Sequence, residues 1–122
     1  METIQFKRDG GPLFAEVRSG FGHPGSYTLI LWEKASNAKA MQDKVGNFMN
    51  TNDDWYELPG KAAEHDGRIV EAFVTVAPPR GEKEYFVALR VSQDDILLRE
   101  ISFSGSTDMQ SITIDLFARL AV

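Results

Sequence analysis

Seven short segments rich in β-branched and aromatic residues, with apolar side chains tending to fall two apart, limit this chain more than any other feature. They run from Thr3 to Lys7, Leu13 to Arg18, Ser26 to Glu33, Arg68 to Ala77, Lys83 to Ser92, Ile96 to Ser104 and Ser111 to Ala121. Turn-forming clusters punctuate them at Gly10-Gly11-Pro12, Gly20 to Gly25, Pro59-Gly60, Pro78 to Gly81 and Gly105. Side chains two apart share one face of a strand, so each segment carries an apolar face that has to be covered. The expected fold is an all-β antiparallel sandwich, jelly-roll-like, with about seven strands; a flattened β-barrel is the alternative. A length of 122 residues leaves room for one ordinary core, so residues 1–122 are expected to form a single sandwich domain.

Segment 26–33 is apolar on both sides, with Tyr27, Leu29 and Leu31 alternating against Ile30 and Trp32, as in a central strand covered on both faces. Two stretches fit less cleanly. Residues 36–49 suit a short amphipathic helix, with Ala38, Met41, Val45 and Phe48 on one stripe and Ser36 placed as N-cap, although Gly46 and Asn47 oppose it. Met109, Ile112, Leu116 and Leu120 also suit a helical stripe, but the β-branched run Ile112-Thr113-Ile114 favours a strand.

Cross-strand chemistry suggests two hairpins. A loop at Pro79-Arg80-Gly81-Glu82 would pair Val70 with Val91, Ala72 with Leu89, Val74 with Val87 and Val76 with Tyr85, and would set Glu71 against Arg90. A two-residue turn at Asp94-Asp95 would oppose Arg90 to Arg99, so a three-residue loop over Gln93-Asp94-Asp95 is expected. That register pairs Val91 with Leu97, Val87 with Ile101 and Tyr85 with Phe103, puts Arg99 on the same face and leaves Asp95 left-handed.

Thirteen Lys and Arg against eighteen Asp and Glu give a net charge of −5, with no basic cluster, which disfavours nucleic acid as a partner. Cysteine is absent, which excludes disulfides, thiolate metal sites and a cysteine nucleophile. Residues 1–9 lack a signal-like apolar stretch and the longest apolar-rich run, 27–32, is too short for a membrane span. A cytoplasmic location is the default expectation, with no membrane partner, and a mature secreted domain would look the same.

Signals for chemistry are weak. The polar stretch Asn50 to Glu57 offers oxygen ligands at alternate positions, but an EF-hand register from Asn50 puts Trp55 where Gly is needed and Lys61 where a bidentate Glu is needed. His23 and His65 both read as loop residues, His65 as a solvated turn residue before the strand at Arg68, and neither has zincin spacing. Phosphate-binding glycine motifs are missing, so no cofactor is expected. Carboxylate pairs such as Glu64 with Asp66, or Asp94 with Asp95, fit hairpin turns better than glycoside hydrolysis.

Aromatics are the remaining lead. Trp32 and Tyr85 sit on apolar strands and read as core, whereas Trp55 and Tyr56 are flanked by Asp53, Asp54 and Glu57, which keep them near water. A non-catalytic binding or assembly module is therefore expected, with Asp53, Asp54, Trp55, Tyr56 and Glu57 as its contact patch and a protein or glycan as its ligand. The competing structural role for Trp55 is a lid, packed beneath the excursion from Lys34 to Gly67. Two alternatives stand beside it: a small hydrolase or isomerase using His65 with a carboxylate from Asp53, Asp54, Glu57, Glu64 or Asp66, and a homo-oligomer associating through a sheet edge or face near Leu120-Ala121-Val122.

Overall fold

The computed structural model describes residues 1–20, 24–48, 54–77, 84–107 and 110–122. Among these the chain forms β1 (Glu2–Gln5), β2 (Leu13–Ser19), β3 (Gly25–Trp32), β4 (Lys44–Asn47), β5 (Trp55–Glu57), a 3-10 turn (Ala62–His65), β6 (Ile69–Val76), β7 (Glu84–Gln93), β8 (Ile96–Ser106) and β9 (Ile112–Ala121). They build two sheets, ordered β1-β9-β6-β3-β4 and β5-β2-β7-β8. Every pairing is antiparallel except that of β1 with β9. Both sheets keep free edges, so the architecture is an open sandwich and not a barrel.

All seven expected strands form, and the C-terminal segment is strand. Their alternation decides which side chains go inside. Leu13, Ala15 and Val17 of β2, Val70, Ala72, Val74 and Val76 of β6, and Val87, Leu89 and Val91 of β7 are all at or near zero exposure. Each fully buried Val or Leu contributes about 1.5–3 kcal/mol of transfer free energy, which is the main force closing the two sheets. On β3, Tyr27, Leu29, Ile30 and Leu31 are buried, as expected of a strand apolar on both faces.

The helix over 36–49 does not form. Lys44–Asn47 instead adds an edge strand to β3, with Gly46 opposite Tyr27. Gly46 is needed there, because a Cβ at this position would collide with the Tyr27 ring and hydroxyl. Strand pairing also takes up backbone groups of β3 that a helix, which bonds only to itself, would leave unmet. The same edge continues through Glu33 N–H to Ala38 O at 2.9 Å and Ala40 N–H to Leu31 O at 2.7 Å.

The hairpin expected between β6 and β7 is also corrected. The two strands lie in different sheets, and their apolar faces meet across the sandwich instead of side by side. Glu71 sits between Ile30 and Phe117, and Arg90 between Glu16 and Glu100. Residues 79–82 of the proposed loop lie outside the described residues.

For β7 and β8 the turn is the two-residue one, with Gln93 opposite Ile96 and with Asp94 and Asp95 at φ 53° and 62°. Two successive left-handed residues match the twist of a tight hairpin, and Asp tolerates them. A bulge between Val91 and Ser92 then shifts the register, so Arg90 meets Glu100 and not Arg99. The charge conflict that argued against this turn is removed by the inserted residue. Arg99 does lie on the inner side, at the open edge, where it donates to Thr3 O at 2.8 Å and pairs with Glu2 of β1.

No helix among the described residues is long and apolar enough to cross a membrane.

Candidate functional site

β5 lies at the edge of its sheet because its three residues pair with the outer side of β2: Glu16 with Trp55, Ala15 with Tyr56 and Phe14 with Glu57. Val17 N–H to Asp54 O at 2.9 Å and Leu58 N–H to Leu13 O at 2.8 Å extend the ladder. Successive side chains on a strand point to opposite faces, so the pleat parts the two aromatics. Trp55 and Glu57 face outward; Tyr56 turns in.

Tyr56 and Asp54 converge on Tyr27. The Tyr27 hydroxyl donates to Asp54 Oδ1 at 2.6 Å and lies 2.5 Å from the Tyr56 hydroxyl. Burial first, then these hydrogen bonds and the negative charge of Asp54, hold the Tyr27 phenol far above its ordinary pKa, so it stays a donor. Asp54 and Tyr56 are thereby committed to fastening β5 over β3. Asp53 lies outside the described residues.

Trp55 is 47% exposed and stacks on Phe14, with ring centroids 4.2 Å apart and planes 5° from parallel. Beside it opens a shallow bowl of about 280 Å³ lined by Glu16 and Arg18 of β2, Arg90 and Ser92 of β7, and the hairpin residues Asp95 and Leu97. Glu16 Oε1 is shared between Arg18 Nε at 3.6 Å and Arg90 Nε at 3.8 Å. These are long, solvent-facing ion pairs worth about 0–1 kcal/mol each, so the guanidinium groups can turn to a ligand at small cost. The arrangement combines a fixed aromatic plane with donors on Arg18 and Arg90 and an acceptor on Glu16.

Of the residues expected from the sequence, Trp55 and Glu57 share this outer face, while Asp54 and Tyr56 do not. Phe14, Glu16, Arg18 and Arg90 were missed. Their signal was present in Phe14-Ala15-Glu16-Val17-Arg18, where every second residue is outward-facing, but nothing local links that strand to Trp55.

His65 is not the solvated turn residue expected; it is fully buried in the 3-10 turn. Its Nδ1 accepts from Arg68 Nη1 at 3.2 Å, and Arg68 Nη2 is held by Glu33 at 2.9 Å. Nε2 has no well-aligned hydrogen-bond partner among the described residues, the Pro59 backbone making only a weak contact with the ring. Burial, then the Arg68 charge, push its pKa down, against a smaller opposing pull from Glu64 and Glu33. Asp66 Oδ1 instead accepts the Val122 N–H at 3.1 Å. The ring faces a cation, and no carboxylate among the described residues is hydrogen-bonded to it, so those residues do not assemble an acid–base pair here. His23 lies outside the described residues. No group of three or more His, Asp or Glu among the described residues is placed to hold a metal ion.

The chain matches no family model, no curated protein and no solved structure.

Proposed function

We propose that this chain is a non-catalytic recognition module that takes a sugar ring against Trp55. The observation that carries this is a large aromatic, half exposed yet held by parallel stacking on Phe14, at the rim of a bowl with two guanidinium groups and a shared carboxylate. The apolar C–H face of a pyranose packs on an indole, and its hydroxyls accept from Arg18 and Arg90 and donate to Glu16. Because Phe14 already fixes the ring, little conformational freedom is lost on binding.

A glycan array probed with the wild type and Trp55→Ala tests this. A defined subset of glycans should bind the wild type, and binding should fall at least about tenfold in Trp55→Ala with circular dichroism unchanged. Wild type that retains no glycan, or equal binding by a folded Trp55→Ala, would overturn it.

Self-association is the second candidate, through an edge other than the C-terminal residues Leu120-Ala121-Val122. Leu120 is fully buried and the Val122 N–H is bonded to Asp66, which leaves Val122 as the exposed large apolar side chain at that end. Among the described residues β8 is a long edge strand with Ile96, Leu97 and Phe103 exposed, the kind of edge that pairs with another chain. Sedimentation at rising concentration separates the two cases: a dimer that Phe103→Lys abolishes favours the edge, and a monomer throughout removes it.

A further inference from the structure

A second cavity opens on the outer face of the other sheet, away from Trp55 and independent of any glycan bound there. It is about 320 Å³ and is lined by Trp32 of β3, Ile69 and Glu71 of β6, Asp115 and Phe117 of β9, and Asn37. The ladder makes these residues neighbours: Trp32 is opposite Ile69, Glu71 is opposite Phe117, and Asp115 is one step diagonal from Glu71. Trp32 Nε1 donates to Glu71 Oε1 at 2.9 Å, which aims that carboxylate between the two aromatic rings.

We propose that this cavity binds a small organic cation, an ammonium or guanidinium group on a short alkyl body, with Glu71 and Asp115 neutralising the charge and Trp32 and Phe117 covering the carbon. Two acids on adjacent strands of an exposed face repel one another, and no Lys or Arg among the described residues lines the space between them; Met1, through its amino group, is the one lining residue that can carry a positive charge. Desolvation, a hydrogen bond to Glu71 and the charge of Glu71 raise the Asp115 carboxyl to about 6, so below that pH the free site holds a proton where a cation would otherwise sit. The indole already serves as a cation platform, with Lys39 Nζ 5.7 Å from its centroid while paired to Asp43 at 2.8 Å. A calcium ion would want six to eight oxygen ligands, which two carboxyl groups beside an indole N–H do not supply. An organic cation uses both the charge and the aromatic walls.

Below about pH 6 binding must displace that proton, so affinity should rise with pH through the range in which Asp115 titrates. The other charged groups on this side are Lys39 with its partner Asp43, Arg119 opposite Ile69, Glu2 with its partner Arg99, and the Met1 amino group. The segment of β8 nearest Asp115, Ile101 to Phe103, brings no charge.

Trp55→Phe leaves Trp32 as the sole tryptophan, so its fluorescence reports on this cavity alone. Titration with n-butylammonium and methylguanidinium should give saturable changes at least about tenfold tighter than those with 1-butanol. Glu71→Gln keeps an acceptor for the indole N–H but should weaken both cations at least about tenfold. Between about pH 5 and about pH 7 the parent should bind several-fold more tightly at the higher pH, and Asp115→Asn should lose that dependence. Equal affinity for butanol and the cations, or unchanged binding in a folded Glu71→Gln, would overturn the proposal.

Discussion

Gln93 shows what one polar side chain settles. It is 2% exposed, accepts the Lys7 N–H at 2.8 Å and donates to Lys7 O at 2.8 Å and Gly11 O at 3.0 Å. A buried amide so satisfied pins the 7–11 connection over the end of β7. Gln93→Ala leaves several backbone groups unmet and should cost about 2–4 kcal/mol in chemical denaturation. Val74 and Val87 are both fully buried, on facing sheets, and their replacement by Ala should cost about 1–3 kcal/mol each. Denaturation midpoints equal to wild type would show that neither lies in the core.

At the scale of elements, the edge between β8 and β1 depends on Arg99. β1 is four residues long and, among the described residues, its one strand partner is β9, in parallel. Arg99 reaches from the opposite sheet to Thr3 O and Glu2, bridging the open side of the sandwich. The side chain is partly solvated, so Arg99→Ala should cost only about 0.5–1.5 kcal/mol globally. Its local effect should be larger: hydrogen exchange in residues 2–5 should quicken relative to β6 and β7. Uniform protection across both sheets would mean that the bridge does not hold this edge.

Across the whole molecule, stability should depend on pH through two groups of opposite sign. His65 has a lowered pKa in the folded state, so below its ordinary value of 6.5 the unfolded chain takes up a proton that the folded one refuses, and stability present above that pH is lost on acidification. Asp115 is raised from 3.8 to about 6, so between those values the folded chain holds the extra proton and stability falls as pH rises. Asp115 is the more exposed group, so the His65 effect should dominate. The wild type should melt lower at about pH 5.5 than at about pH 7.5; His65→Gln should lose most of that difference and Asp115→Asn should widen it.

Alternation by itself determined seven strands, the sandwich class and nearly every inner-face residue, because a period of two is written directly in the order of side chains. It did not reveal which strands lie side by side. Backbone N–H and C=O groups are the same whatever the side chain, so the apolar faces of β6 and β7 were equally consistent with pairing in one sheet and with facing across two. Strands as short as β4 and β5 have too few residues to show a period, which is why a helical stripe was legible over 36–49 and why Trp55 and Tyr56 looked like one patch. The acids around Trp55 did announce its exposure. The long-range partners were decided only in three dimensions: Gln93 with Lys7 and Gly11, Arg68 with Glu33, and the Trp32, Glu71, Asp115 and Phe117 cavity, whose members become neighbours only because β3, β6 and β9 are adjacent in one sheet.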